Sequence, residues 1–538
     1  MHPGQFIAHF INTAIITAIV AALVLWRYKV GVLAGMSTGG TVELPIPPPA
    51  LRAAASGTAA AAADAVVWER QVRRRVGVGA ALIVLVCSLP PAYLAAAAVG
   101  DTTPMHVLGQ TGQFLLAAVP IAALLAAYSW RRALLYAVAL LAGGAALVLA
   151  VSALQRLAVG RSPSPDQFLN GLIFLQLTAL NAVAPLLVML VTALPRVRGV
   201  APMTFVGLLV FSLAPLGGSQ LTRALAMTRT GSELVVNAGL SIGFVLLAVP
   251  TGWVAWRCLA ATARAFETKR VADSEVLVNV WWVMFVSAFW IDYVNVHPWS
   301  WPPLLIALAV CVAFAILYRL TLRRWLPPSR PASRTLLLLR VFADVSRTER
   351  LFDRVAGRWR WLGPVTMIAA PDVAARTVDP SDFLEFATGR MHARFVKSAA
   401  DLDERLQHLD GAPDPDGRYR VNELCCGADT WRAAVVSLMD RADAVLMDLR
   451  DFSKKRAGCA FELQQLGQRI DAHRLVLAVD ASTDREFLAT NLAGGGARIV
   501  ELSARHASDR DLEHLFEEVV AVAYGQNAAP PRDTSTAR

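Results

Sequence analysis

The stretch ADAVLMDLRDFSKKRAGCAFELQQL, residues 442–466, decides the fold. Ala444 to Leu449 form a short, mostly apolar run, as expected of a strand buried on both faces. A polar loop, RDFSKKRAG, then leads into a helix in which Leu463 and Leu466 define an apolar face. Three cations precede that helix, and Glu462 lies in its first turns.

The same alternation extends outward. TLLLLRVF (335–342), PVTMIA (364–369), YRVNEL (419–424), RLVLAVD (474–480) and RIVEL (498–502) read as further strands. SRTERLFDRVAGRW reads as a helix opened by a Ser346/Glu349 capping box. Acidic-start helices are expected near 380–390 and 398–409, and Asp429 is the expected cap of TWRAAVVSLMDRA. Strands alternating with helices predict an α/β domain over 334–526 with a parallel sheet covered on both faces. PPSRPAS at 327–333 reads as a linker, and the last twelve residues, 527–538, as a disordered tail.

The first 326 residues read differently. The 538-residue chain is 55% hydrophobic and 17% charged, with mean hydropathy +0.47, which predicts a polytopic membrane domain. About nine transmembrane helices are expected, near 7–26, 76–99, 113–130, 133–154, 168–194, 201–217, 235–256, 276–291 and 303–320. Arg70, Arg73, Arg74, Arg75, Arg131, Arg132, Arg196, Arg198, Arg264 and Arg323 fall on one side of that scheme. By the positive-inside rule the N-terminus is then outside and the C-terminal domain cytoplasmic, in a multi-pass protein of the inner (plasma) membrane. The span interiors carry no Asp, Glu, Lys or Arg, which argues against a proton-coupled transporter. The proline- and alanine-rich segment 31–69 reads as a flexible stretch followed by a helix.

Other classes are excluded by what is missing. The formal charge of +10 comes without a zinc finger or basic–aromatic interleaving, so no nucleic-acid partner is expected. The six cysteines form no metal spacing, so reduced thiols and no metal are expected. An Arg- and Ala-rich, Lys-poor composition points to a GC-rich bacterial genome.

In a parallel sheet, ligands bind outside the carboxyl ends of the strands. Asp344, Asp372, Arg450, Asp451, Ser453 and Asp480 all follow strands on that rim. Lys454, Lys455 and Arg456 stand before a helix N-terminus, where a phosphate can dock. The alternative is a solvated charge run. For Glu462 the alternatives are a carboxylate aimed at the rim and an exposed helix acid favoured by the macrodipole.

GADTWRAAVVSLMDRADAVLMDLRDFSKKRAGCAFELQQL resembles a run of the Toll/interleukin-1 receptor (TIR) family: capped helix, strand, polar loop, serine, then C-x-x-E-L, here Cys459 to Leu463. LLLRVFADVSRTERLFDRVAGRW is similar to the family's first strand, charged loop and first helix. Gly458 stands where the family often has tryptophan, and Leu449–Arg450 replaces a Ser-Pro-like pair. The resemblance implies a flavodoxin-like sheet that self-associates into a homo-oligomer. It implies, for catalytic members, NAD as substrate, cleaved at its nicotinamide–ribose bond by the glutamate at position 462. There is a weaker similarity to nucleoside deoxyribosyltransferase-like folds.

Two functions follow. In one, the domain binds and cleaves NAD or a related nucleotide, with Glu462 catalytic and Arg340, Asp344, Arg450, Ser453, Lys454, Lys455 and Arg456 around the nucleotide. In the other, it is a non-catalytic assembly or nucleotide-sensing module controlling a membrane sensor, pore or transporter, with the lipid bilayer as partner.

Overall fold

The computed structural model describes residues 22–24, 26–35, 37, 43–48, 58–98, 233–276, 301–327, 329–340, 351–369, 394–454, 456–492, 497–503 and 507–525, with a few isolated positions. Two compact units form, one of residues 1–26, 76–324 and 378–387, the other of residues 27–75, 325–377 and 388–538.

Three long helices contribute to the first unit: α1 (Ala59–Ala98), from residue 76 on, α2 (Glu233–Glu267) and α3 (Trp301–Trp325), up to residue 324. Among the described residues no helix is long and apolar enough to cross a membrane. This corrects the expectation of nine transmembrane helices, and with it the multi-pass, inner-membrane placement. Charged residues flank the apolar stretches of these helices and do not interrupt them. In α1, Glu69, Arg70, Arg73, Arg74 and Arg75 precede the apolar part that starts at residue 76, α2 contains Pro250 and carries Arg257 and Arg264 toward its end, and α3 ends in Arg319, Arg323 and Arg324. Apolar side chains there also pack internally: Trp282 stacks on Phe314 at 4.4 Å, and Phe314 lies parallel to Tyr318. Arg319 is fixed by the buried Glu275 at 3.0 Å. The spans expected at 113–130, 168–194 and 201–217 lie outside the described residues, as do most of 7–26, 133–154 and 276–291.

The second unit is built on a seven-stranded parallel sheet: β1 (Leu336–Arg340), β2 (Val365–Ile368), β3 (Phe395–Val396), β4 (Val421–Cys426), β5 (Ala444–Asp448), β6 (Leu475–Val479) and β7 (Arg498–Glu501). The order is β3-β4-β2-β1-β5-β6-β7. Strands β2-β1-β5-β6-β7 thus follow the 2-1-3-4-5 order of flavodoxin-like doubly wound sheets, with β4 and β3 added beyond β2. All five residues of β5 and of β6 are buried, which is why these strands read as unbroken apolar runs.

Helices α4 (Ala399–Gln407), α5 (Trp431–Arg441), α6 (Ala457–Arg469), α7 (Arg485–Asn491) and α8 (Asp509–Tyr524) connect or flank the strands. Ser398 caps α4, and Ser508 with Asp511 makes a capping box for α8. The expected Asp429 cap of α5 gives way to Thr430, whose hydroxyl accepts the Gly427 N–H at 2.9 Å. The Ser346/Glu349 box lies outside the described residues, and the helical stretch after it, Phe352–Ala356, is a π-helical turn. β3 has only two residues and no sequence counterpart among the expected strands.

One core cluster joins α5 and α6 to the sheet, through Val435, Val436, Met439, Leu463 and Leu466. Burying a side chain of this size is worth about 1.5–3 kcal/mol each. Two parts of the chain outside the expected 334–526 domain belong to this unit. Residues 329–333 are pinned: Arg330 donates to the carbonyls of Trp361 at 3.1 Å and Gly417 at 2.8 Å and lies over the Tyr419 ring. Tyr524 donates to the Ala332 carbonyl at 2.7 Å. The first turns of α1 dock through Glu69, which is fully buried and takes both Nε and Nη2 of Arg358, at 3.2 and 2.8 Å. Arg358 also reaches Glu513 of α8 at 2.6 Å and lies over the Phe516 ring. Arg70 adds bonds to Glu513 and Glu517.

Candidate functional site

The sheet's connectivity reverses between β1 and β5, and there Arg340 and Asp448 are register partners at the carboxyl ends. This is the switch point at which doubly wound sheets place ligands. Asp448 closes β5 and is buried. Arg450, two residues on, folds back on it: Nε meets Oδ1 at 2.7 Å and Nη2 meets Oδ2 at 2.6 Å. The fork-on-fork geometry offsets the cost of taking both charges out of water.

The loop after β5 is stitched to the loop after β6. Leu449 N–H donates to Ala478 O at 2.8 Å, Thr483 Oγ1 to Leu449 O at 3.0 Å, and Asp484 N–H to Phe452 O at 3.0 Å. Asp451 takes a left-handed backbone with φ +64° and donates its N–H to Ser482 Oγ at 3.1 Å. Aspartate tolerates that conformation better than most residues. Asp480 in turn accepts from the Ser482 N–H at 2.9 Å. Phe452 is buried and stacks on Phe487 at 5.3 Å, which anchors the loop from below.

Helix α6 starts directly after this loop, with the Arg456 N–H turned back to Ser453 O at 2.9 Å. Cys459, Glu462, Leu463, Leu466 and Arg469 form its buried side. Glu462 is 6% exposed, so the solvent-facing macrodipole acid is not what the helix presents. Burial pushes the Cys459 thiol up to about 12; the Glu462 carboxylate raises it further, Arg456 opposes, and Asp448 adds to the rise. Cys459 therefore feels negative charge from its own helix and from the end of β5. It is a packed thiol and not a reactive one. Beside Gly458, where the resemblance leads one to expect tryptophan, the indole of Trp431 arrives from α5: a Cβ at Gly458 would lie 3.7 Å from Trp431 Cη2. Trp431 and Phe461 then meet edge to face at 5.5 Å.

The expected site residues thus separate into groups. Arg340 ends β1, while Asp344, Asp372 and Lys455 lie outside the described residues. Arg450 is engaged by Asp448. Arg456 reaches Asp451 at 3.3 Å, Ser453 is half-buried in the turn, and Lys454 is exposed. Asp448, Ser482 and Thr483 complete the rim and escaped sequence reasoning; an acid at the end of an apolar strand, two residues before an arginine, was the available signal. Among the described residues no group of His, Cys, Asp or Glu is placed to hold a metal ion. A cavity of about 440 Å³ lies at the opposite, amino ends of β1, β2 and β4, lined by Thr366, Leu406, Asn422, Asp440 and Arg441 among others.

Comparison with family models, with curated proteins and with solved structures found no match.

Proposed function

We propose that the α/β unit is a TIR-like nucleotide-binding module that cleaves the N-glycosidic bond of NAD or a related nucleotide. The observation that carries this reading is Glu462, a carboxylate withdrawn from water in the first turns of the helix that follows the β1/β5 switch point. A carboxylate in that position is suited to stabilise a ribosyl cation. The C1′–N bond breaks with its electron pair leaving on nicotinamide, and water adds to C1′ and releases a proton. Arg340, Lys454 and Arg456, with Asp344 and Lys455, are the groups proposed to hold the phosphates and ribose.

A second reading, a non-catalytic assembly or nucleotide-sensing module, is favoured by one observation. Arg450, the buried cation of the rim, is already neutralised by Asp448. The full chain, incubated with NAD over a wide range of protein concentration, separates the two. The enzyme reading expects nicotinamide release that is lost in Glu462→Ala and in Glu462→Gln. Absence of release at every concentration, with folding intact, sinks it and leaves the module.

A further inference from the structure

Residues Glu43–Pro48, ELPIPP, form neither helix nor strand and run from the start of α5 to the end of α6; Pro45, Pro47 and Pro48 fix their own φ and bias the residues before them to extended backbone. Leu44 packs on the core cluster those helices share, and its N–H donates to Asp429 O at 3.1 Å, at the start of α5. The Pro47 carbonyl accepts from Arg469 Nη2 at 2.5 Å, at the end of α6. Arg469 is itself set by Asp440 of α5 at 3.2 Å and by Gln465 at 2.9 Å, so one guanidinium ties both helices to the strap. At the other end the Glu43 carboxylate pairs with Arg432. Arg432 lies over both Trp431 and Phe461, at 5.3 and 5.5 Å.

These contacts have the form of peptide recognition. Four residue steps of polyproline-type chain span about 12 Å. Such a chain has little conformational freedom to lose on docking, and aromatic surfaces with side-chain donors to its carbonyls are the usual receptors for it. Here the receptor has an aromatic platform, a donor for one carbonyl and an acceptor for one N–H. It also has one cation that selects an acid at the ligand's amino end. None of these groups reads which chain the ligand belongs to. We propose that the α5–α6 surface is a docking site for an acidic-start, proline-rich segment. Residues 43–48 occupy it in cis and exclude a competing segment in trans by their high effective concentration. The proposal is independent of the chemistry assigned to Glu462.

The test uses the full chain and a labelled synthetic peptide of residues 41–50. Leu44→Asp vacates the surface, and the peptide is expected to bind this variant at least about tenfold more tightly than the wild type. Arg432→Glu added to Leu44→Asp should abolish that binding, and a peptide with arginine at the position of Glu43 should restore it. Restoration also guards against misfolding, because a collapsed surface is not rescued by charge reversal. Hydrogen exchange supplies a second readout: the Leu44 amide should be protected in the wild type and released in Leu44→Asp. Equal binding to wild type and variant, or a Leu44 amide exchanging at the free-chain rate in the wild type, overturns the proposal.

Discussion

Two buried arginine–carboxylate sites in the α/β unit invite comparison. Arg450 and Asp448 stand two residues apart and shape the rim beside β5. Arg358 and Glu69 stand 289 residues apart and attach the first turns of α1 to the unit. Both are bidentate and both are nearly sealed from water, yet they differ in what they specify. The first fixes the course of one loop. The second holds residues of α1 that are distant in sequence but belong to the same unit, and it is reinforced by Glu513 and Arg70. Buried ion pairs add little net stability over apolar packing, but removing one member leaves a stranded charge. The difference is therefore best probed one partner at a time.

The largest effect is expected at Arg358→Met, which removes the bidentate partner of the buried Glu69 and leaves it only Arg73 at 3.8 Å. The free energy needed to expose the amides of α8, measured by native-state hydrogen exchange, should fall by about 3–5 kcal/mol. A fall confined to a few tenths would mean that the α1 contact is not part of the unit's cooperative structure. Asp448→Asn should cost less, about 1–3 kcal/mol, because Arg450 at the rim can turn toward water. Here the protection of the loop at 449–456 and of the first turn of α6 should drop while α8 stays unchanged. If both regions drop together, the two sites are not separable.

Acid titration sharpens the contrast further. Burial pushes the Glu513 carboxyl up, but Arg358 and Arg70 outweigh it and hold it below the usual range. A depressed carboxylate contributes stability that is complete above its unfolded pKa and is lost as the pH falls through its folded one. Protection of α8 should therefore persist down through the ordinary glutamate value near ~4.3 and fail only below it. Glu513→Gln should remove that acid step. The smallest effect is expected at Glu517→Gln, whose pair with Arg70 is exposed on both sides; a change within about 0–0.5 kcal/mol is expected in the same exchange measurement.

The comparison also explains what could be read in the chain. The apolar runs that predict β1, β2, β5 and β6 are local signals, since a strand buried on both faces shows in nearly every residue, whereas β4 is buried only in its second half and β7 only at Val500. β3 has two residues and leaves no pattern. Glu462 was visible because C-x-x-E-L is a contiguous motif, and Arg450 because it follows a strand. Asp448 was hidden inside the run that predicts its own strand. Glu69 was hidden for the opposite reason, since nothing near it in sequence announces Arg358. The proline-rich segment at 43–48 reads as loose chain by composition, and only its receptor on α5 and α6 gives it a fixed course. The apolar stretches before residue 326 read as bilayer spans by composition, and among the described residues no helix is long and apolar enough to cross a membrane.

The sheet's order has one more consequence. Among the described residues its two outer strands are β3, with two residues, and β7, with four. A two-residue border offers too few open backbone groups to template a foreign strand. On the other border Arg498 and Glu501 are flanked by Glu518 and Arg485, so charge stands guard over the open backbone. Growth of this sheet from molecule to molecule is thereby discouraged at both margins. A higher-order assembly of the unit would be built helix against helix, and its geometry would be written in the side chains of α4 to α8 and not in a shared hydrogen-bond ladder.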